Sequence, residues 1–210
     1  MVPEKNGPIP SIDDCLTLMD EYEMLDNIRA HSFQVARVAE TLMEAMEEAD
    51  CHPLPDLDLV VTGALLHDIA KTPCLYRRCN HAKRGKKICL EKGYPEIGEI
   101  VREHVVLYDF SKERYRQGVF FAKEIVYYAD KRVRHDAVVS LDQRLDYILE
   151  NYGGRDKKIH ELIRENFQRC REMEAALFSF LNFPAHELAR HVSSKPFLRP
   201  FSTCPQELSD

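Results

Sequence analysis

Five side chains that can ligate a metal occupy positions where the helical spacing of the sequence calls for a buried apolar residue, and a sixth is adjacent to one of them. The five are His31, His67, His81, His104 and Asp130, and the sixth is Asp68. Burying one histidine is common, but five such polar groups on successive helices without a shared purpose would be costly. Imidazole nitrogens and carboxylate oxygens are the usual ligands of zinc, manganese, iron and related divalent ions. If the apolar faces of these five helices pack against one core, the six side chains converge on a metal site.

The elements that would carry these residues are helices, because apolar residues recur at helical spacing almost throughout and no strand-like alternation appears. Capping boxes at Ser11 and Ser140 predict two helix starts. Pro73 is expected to end the helix that carries His67, which leaves a loop over residues 72–80. Helices are predicted over residues 11–25 and 27–49, from 57 to Pro73, from His81 to the Gly93 and Pro95 stop, around 97–104, around 122–130, from Ser140 to the Gly153–Gly154 break, and over 156–180. An irregular tail is expected from Pro184.

The composition is that of an ordinary globular chain. It has 210 residues, of which 44% are hydrophobic and 30% charged, with a net charge of -6. This charge gives no general attraction to nucleic acid, so any affinity for phosphate must be local. No apolar run approaches the roughly 20 residues of a membrane span, and the N-terminus does not resemble a signal peptide. We therefore expect a cytoplasmic protein with no membrane partner.

The seven cysteines show no disulfide framework and no C-x-x-C pair. A structural zinc site on Cys74, Cys79 and His81 is one interpretation. Reduced thiols, buried or partly buried, are the interpretation we favour.

The order of the candidate ligands resembles the H…HD…D signature of HD-superfamily phosphohydrolases. His31 comes first, His67 and Asp68 follow in the string GALLHDIAK, and Asp130 lies in YYADKRVRHD. His81 in HAKRG and His104 in REHVV match the two extra histidines of dinuclear members. The chain is most similar to small bacterial HDIG-type hydrolases, including those acting on dinucleoside tetraphosphates, and the resemblance covers residues 28–133.

This resemblance implies an all-α fold and three segments. An N-terminal helical extension would span residues 1–26, the HD helical bundle 27–153, and a long helix with an irregular tail 154–210. The C-terminal segment would pack on the same domain or on a partner subunit, so a homodimer is one expectation.

The resemblance also implies the roles of the ligands. One metal would be held by His31, His67, Asp68 and Asp130. Asp68 would bridge to a second metal held by His81 and His104, because a carboxylate has two oxygens to share. Manganese or iron is the first expectation, with zinc, nickel, cobalt or magnesium as alternatives.

The chemistry expected of such a site is hydrolysis of a phosphate ester or anhydride, since a bound metal lowers the pKa of water toward about 7 and supplies hydroxide. The expected substrate is a small phosphorylated molecule such as a nucleotide. Lys71, in the family's HD-x-x-K string, would act with Asp68 by stabilising charge on the phosphate. Its alternative is a solvated lysine near a helix C-terminus. Further phosphate contacts are predicted from Arg77, Arg78, Arg84 and Lys131, for which a solvated helix face is the alternative.

Two other readings of the sequence stay open, and two motifs are set aside. The chain could be a non-catalytic HD module that binds a nucleotide or protein, or a helical scaffold; the complete ligand set argues against both. The GYP string at Gly93 precedes His104 and does not follow a His-His pair, which differs from the cyclic di-GMP phosphodiesterases. The second HD dipeptide, His135 and Asp136, lacks an apolar run and is expected in a loop.

Overall fold

The computed structural model of the chain describes residues 7–77, 79–154 and 156–193, and in these ranges the fold is all-α as expected. The helices are α1 (Ile12–Glu21), α2 (Asp26–Glu48), α3 (Leu57–Leu66), α4 (Lys71–Arg77), α5 (His81–Glu91), α6 (Pro95–Glu103), α7 (Lys112–Arg116), α8 (Ala122–Lys131), α9 (Leu141–Asn151), α10 (Lys157–Phe178) and α11 (Leu188–Ser193), with a short 3-10 helix at Ala185–Glu187. A two-stranded antiparallel hairpin, β1 (Val133–Arg134) and β2 (Ala137–Val138), follows α8.

Both predicted capping boxes are present. The backbone N–H of Asp14 donates to Ser11 Oγ at 3.1 Å, and the Ser11 N–H donates back to the Asp14 carboxylate at 2.9 Å. Ser140 and Gln143 make the same reciprocal pair at the start of α9. Each box satisfies backbone donors that the first helical turn leaves without partners.

The predicted loop over residues 72–80 is wrong, because its first part forms α4. Pro73 does not follow a helix that runs past His67. Instead α3 ends at Leu66, a turn spans residues 67–70, and Pro73 is the third residue of a new helix. Proline is tolerated in a first turn because the N–H it lacks would have no helical partner there. His67 and Asp68 therefore lie in a short turn between the two helices.

Helix α3 lies at the centre of the bundle and packs against α1, α2, α6 and α8. Its close approach to α6 depends on Gly63, where a Cβ atom would lie 2.6 Å from Ile100 Cδ1 and 3.1 Å from Ile100 Cγ2. His67 is one helical turn after Gly63, and His104 is one turn after Ile100. The contact between glycine and isoleucine therefore sets the separation of two candidate ligands.

The C-terminal segment packs on the same core. Phe167, Cys170, Met173 and Leu177 of α10 are buried in it, and Phe178, Phe180 and Phe183 pack against it. Arg132, which follows α8, holds this region through Glu174 at 2.9 Å and the carbonyl of Ala185 at 2.9 Å. The predicted tail is described to residue 193 only, and residues 194–210 lie outside the described residues. Within the described chain, neither α10 nor any other helix is both long and apolar enough to cross a membrane.

The cysteine prediction is confirmed for four residues and wrong for two. Cys15, Cys51, Cys89 and Cys170 are free and buried. Cys74 and Cys79 form a disulfide that joins the middle of α4 to the residue before the N-cap of α5, with their Cα atoms 4.8 Å apart. Their sulfur atoms are therefore not available for a zinc site with His81.

We predict that Gly63→Ala lowers the free energy of unfolding by about 1–3 kcal/mol, because the new methyl group overlaps Ile100 in a packed interface. The intrinsic helix propensity of alanine, about 1 kcal/mol better than glycine, offsets only part of this cost. The measurement is urea denaturation followed by circular dichroism.

The matched variant is Ile100→Val, which removes the Cδ1 atom that a Cβ on residue 63 would meet first. The double variant should cost less than the sum of the two single variants. Strict additivity would show that the two positions are not in contact.

Candidate metal centre

His67 and Asp68 open the turn at the end of α3. His67 is the C-cap of this helix, and its Nδ1 lies 2.7 Å from the carbonyl oxygen of Ala64. A carbonyl oxygen only accepts, so Nδ1 carries a hydrogen, and in the neutral ring Nε2 is left with its lone pair. This Nε2 lies 3.5 Å from Asp68 Oδ2 and 3.8 Å from Asp130 Oδ1. It is buried with no hydrogen-bond partner among the described residues.

His104 and His31 repeat this arrangement. His104 is the C-cap of α6, and its Nδ1 donates to the carbonyl of Val101 at 2.7 Å. His31, in the first turns of α2, donates through Nδ1 to the carbonyl of His135 at 2.9 Å. That carbonyl belongs to the turn of the β1–β2 hairpin, where His135 has a φ of 58°. All three rings are thus fixed by backbone carbonyls and direct Nε2 toward one another.

Asp68 is shared by two groups of candidate ligands. One group is His31, His67 and Asp68, and the other is Asp68, His81 and His104; in each, the ligand atoms lie within 4.8 Å of one another. Asp68 Oδ1 is 3.5 Å from Nε2 of both His81 and His104. Its Oδ2 accepts a hydrogen bond from Lys71 Nζ at 2.6 Å. One carboxylate therefore faces both groups.

Several of these ligand atoms are arranged to coordinate a shared cation and not to hydrogen-bond with one another. Nε2 of His81 and of His104 lie 3.2 Å apart, and Nε2 of His31 lies 3.0 Å from Asp130 Oδ1. Two ligand atoms that each lie about 2.0–2.1 Å from one ion are separated by roughly 3 Å. Asp68 Oδ1 and His67 Nε2 are buried without a hydrogen-bond partner in the described chain. Lone pairs that face each other and buried ligand atoms without hydrogen-bond partners are typical of side chains that ligate a metal.

The protonation states also suit metal ligation. Burial alone would raise the pKa of the Asp68 carboxyl, but the nearby Lys71 ammonium and His67 outweigh it and hold this pKa well below its usual range. Burial is likewise outweighed at Asp130 by the charges of Lys131 and Arg144, so its pKa is also far below normal. Burial lowers the pKa of His81 to about 4, so its ring is uncharged near neutral pH. Ionised carboxylates and neutral imidazoles are the forms that bind metal.

Burial also lowers the pKa of His31 and of His104, although the carboxylates of Asp130 and Asp68 lie beside them. His67 differs. Its burial is outweighed by the neighbouring charge of Asp68, which raises its pKa. Among the four histidines, His67 is therefore the one at which a proton competes most strongly with a metal ion.

Three helices direct their negative ends toward this cluster. His67 caps the C-terminus of α3, His104 caps the C-terminus of α6, and Asp130 is next to last in α8. The C-terminal end of a helix carries roughly half a negative charge. The backbone therefore adds to the two carboxylates in favouring a cation at the centre.

The structure brings all six predicted ligands together and separates the predicted substrate contacts. Lys71 borders the cluster as expected. Arg77 is exposed at the end of α4, Arg84 is half-buried on α5 three residues after His81, and Arg78 lies outside the described residues. The prediction for Lys131 does not fit, because Lys131 is buried and its ammonium donates to the carbonyl of His104 at 2.7 Å and to Asp130 Oδ2 at 2.8 Å. It supports a ligand instead of facing a substrate.

Arg144 is a further residue at the cluster that the sequence analysis missed. Its Nη2 lies 3.5 Å from Asp130 Oδ1, and the residue is buried. A signal was present in the sequence, since Arg144 shares the helical stripe of Leu141, Leu145 and Ile148. The criterion that singled out the histidines applies equally to an arginine on an apolar stripe.

Comparison with known proteins agrees with this geometry. The HD domain family matches residues 28–134, the segment from which all six ligands come. A curated relative, the tRNA (cytidine(56)-2'-O)-methyltransferase of Picrophilus torridus, is 32% identical over 178 residues, which cover 77% of this chain and 50% of that protein. The chain thus spans about half the length of this relative. No solved structure matched the chain. With its ligands in order, in space and within the matched segment, the chain belongs to the HD domain family, a superfamily of metal-dependent phosphohydrolase-type domains.

Proposed function

We propose that the chain is a metal-dependent hydrolase of phosphate esters or anhydrides, acting on a nucleotide-like small molecule. The observation that carries this proposal is the position of Asp68, one buried carboxylate shared by two groups of inward-facing histidines. Two adjacent cation sites suit phosphoryl chemistry, in which charge develops on several oxygens at once. Membership of the HD domain family supports the hydrolase class.

The ligands are proposed to hold two divalent ions. His31, His67, Asp68 and Asp130 would hold one, and Asp68, His81 and His104 the other. When bound, such an ion lowers the pKa of a water molecule toward about 7 and offsets negative charge on a phosphoryl oxygen. A mixed nitrogen and oxygen ligand set favours manganese or iron, without excluding zinc, nickel, cobalt or magnesium.

Lys71 is proposed to act beside these ligands. Its ammonium is 2.6 Å from Asp68 Oδ2, and its side chain is 29% exposed, in contrast to 2% for Asp68. Burial opposes its charge, but Asp68 outweighs burial and raises the pKa of Lys71, so it stays protonated. A protonated lysine that joins a buried carboxylate to the surface can hold a phosphate oxygen at the entrance to the site.

A binding module without catalysis is the competing hypothesis. Missing candidate ligands would support this hypothesis, but all six are present and lie close together. The methyl transfer in the relative's name is not carried over to this chain, because the match leaves half of that protein uncovered. The nucleotide nature of the substrate and a homodimer stay predictions.

We predict that protein purified without added metal carries between one and two transition ions per chain, as measured by inductively coupled plasma mass spectrometry. His104→Ala should lose the ion of one group only, and His31→Ala the ion of the other. Asp68→Asn keeps the shape of the side chain but removes the shared charge, so it should weaken binding of both ions.

Asp136→Asn is the matched control, because it alters the exposed aspartate of the second HD dipeptide. It should keep the metal content of the unaltered chain. Absence of metal in the unaltered chain, together with no affinity for added Mn²⁺, would rule out the proposed centre.

We predict Mn²⁺-dependent hydrolysis of at least one class among phosphomonoesters, phosphodiesters and dinucleoside polyphosphates. Asp68→Ala should reduce the activity to background while the helical circular dichroism spectrum is kept, and Asp136→Ala should leave activity unchanged. A chelator should abolish activity, and added Mn²⁺ should restore it. Equal activity in the Asp68→Ala variant would be incompatible with this site.

A further inference from the structure

Arg144 is a buried cation that makes no short hydrogen bond within the described residues. The residue, on α9, is 7% exposed. Its Nε is buried without a hydrogen-bond partner in the described part of the chain, and its nearest acceptor, Asp130 Oδ1, is 3.5 Å from Nη2. This distance is beyond the ordinary 2.7–3.2 Å range, so the contact is an ion pair without a hydrogen bond. A guanidinium has five N–H donors, and a buried donor that lacks an acceptor, as Nε does here, lowers the stability of the fold.

Arg132 shows what the same side chain does when its role is structural. It is equally buried, and its guanidinium donates to the carbonyls of Val139 and Ala185 at 2.7 and 2.9 Å and to Glu174 at 2.9 Å. Lys131, the other buried cation at the cluster, also makes two short hydrogen bonds. Arg144 differs from both, because its charge is balanced by a neighbouring carboxylate while its buried Nε has no acceptor among the described residues.

The place of Arg144 indicates which kind of acceptor it would take. Asp130 Oδ1, the atom nearest its Nη2, is 3.0 Å from Nε2 of His31 and 3.8 Å from Nε2 of His67. The guanidinium therefore borders the ligand group of the first proposed ion. The ring of Tyr147, on the same helix, has its centroid 5.6 Å from the Cζ of Arg144. A planar fork of donors next to a cation site matches an anion with several oxygens, such as a phosphoryl group.

We propose that Arg144 holds non-bridging oxygens of the substrate's phosphoryl group, at the side of the cluster formed by His31 and Asp130. This rests on the proposed phosphohydrolase function. Lys71, bound to Asp68, would meet the same anion from the more exposed side. Arg144 lies beyond residue 134, where the family match ends, so this contact is supplied by a helix that the matched HD segment does not include.

The test measures binding of inorganic phosphate to the Mn²⁺-loaded protein by isothermal titration calorimetry, after metal content has been determined for each variant. Arg144→Gln removes the charge and the fork, and Arg144→Lys keeps the charge alone. Arg171→Gln is the matched control, because Arg171 pairs with Asp142 of the same helix α9 at an exposed site. We expect unchanged metal content in all variants. Phosphate affinity should fall by about tenfold or more in Arg144→Gln, fall less in Arg144→Lys, and stay unchanged in the control.

Two results would overturn the assignment. One is unchanged phosphate affinity in both Arg144 variants. The other is a loss of metal from both variants with a proportional loss of phosphate binding, since Arg144 would then act only by supporting Asp130. If Arg144→Gln fails to fold, the Arg144→Lys variant decides by the same two criteria.

The assay needs no turnover, which separates this inference from the proposed function. Phosphate binding that depends on Arg144 in a protein without hydrolase activity would keep the anion site and reject the enzyme. With an active enzyme, the value of KM for the phosphorylated substrate should rise in Arg144→Lys more than kcat falls.

Discussion

Asp68 and Asp130 place two negative charges inside a helical bundle, and the neighbouring side chains offset the free-energy cost of burying them. Ionised carboxylates are stable away from water only when cations and hydrogen-bond donors surround them. Lys71 is 2.6 Å from Asp68 and Lys131 is 2.8 Å from Asp130, so each carboxylate has one protein cation on its Oδ2. The two Oδ1 atoms face histidine nitrogens that carry lone pairs. On the side where the six candidate ligands meet, Asp68 Oδ1 is left without a hydrogen-bond donor among the described residues.

The helices contribute to this cluster through their backbones. The carbonyls of Ala64 and Val101, near the ends of α3 and α6, have lost their helical partners and instead accept hydrogen bonds from the rings of His67 and His104. The same few atoms thus end a helix, fix a tautomer and orient a ligand. A substitution that moves either helix end would change all three together, which explains why Gly63 and Ile100 matter although neither is a ligand.

Five of the six candidate ligands could be singled out from the sequence because each interrupts an apolar stripe, and the stripe is a local property of a helix. The sequence predicted less well what depends on contacts between distant segments. Pro73 was taken as a helix end, because a proline gives the same local signal at the end of one helix and in the first turn of the next. The role of the His135 carbonyl depends on a hairpin of two residues per strand, too short to produce an alternating pattern.

Lys131 and Arg144 show the same limit for charged residues. Both lie near the family signature or just beyond it, and spacing alone does not tell whether a cation faces solvent or the core. The sequence predicts Lys131 as a phosphate contact or part of a solvated helix face, but α8 turns it toward His104. Arg144 was passed over because it lies on a helix without a motif. Contacts across the bundle decide both: Lys131 meets the carbonyl of His104 at the end of α6, and Arg144 of α9 meets Asp130 of α8.

The ligands are also far apart along the chain, and this has a consequence for folding. His31 and Asp130 are 99 residues apart in sequence, and their side chains meet at 3.0 Å. In the unfolded chain such residues are separated by a long, flexible loop, so an ion gains its full set of ligands only when the bundle has closed. Any ion that binds the folded cluster more tightly than the unfolded chain acts as a cross-link between the first and last helices of the matched segment. Metal supply would then set the lifetime of the folded protein as well as its chemistry.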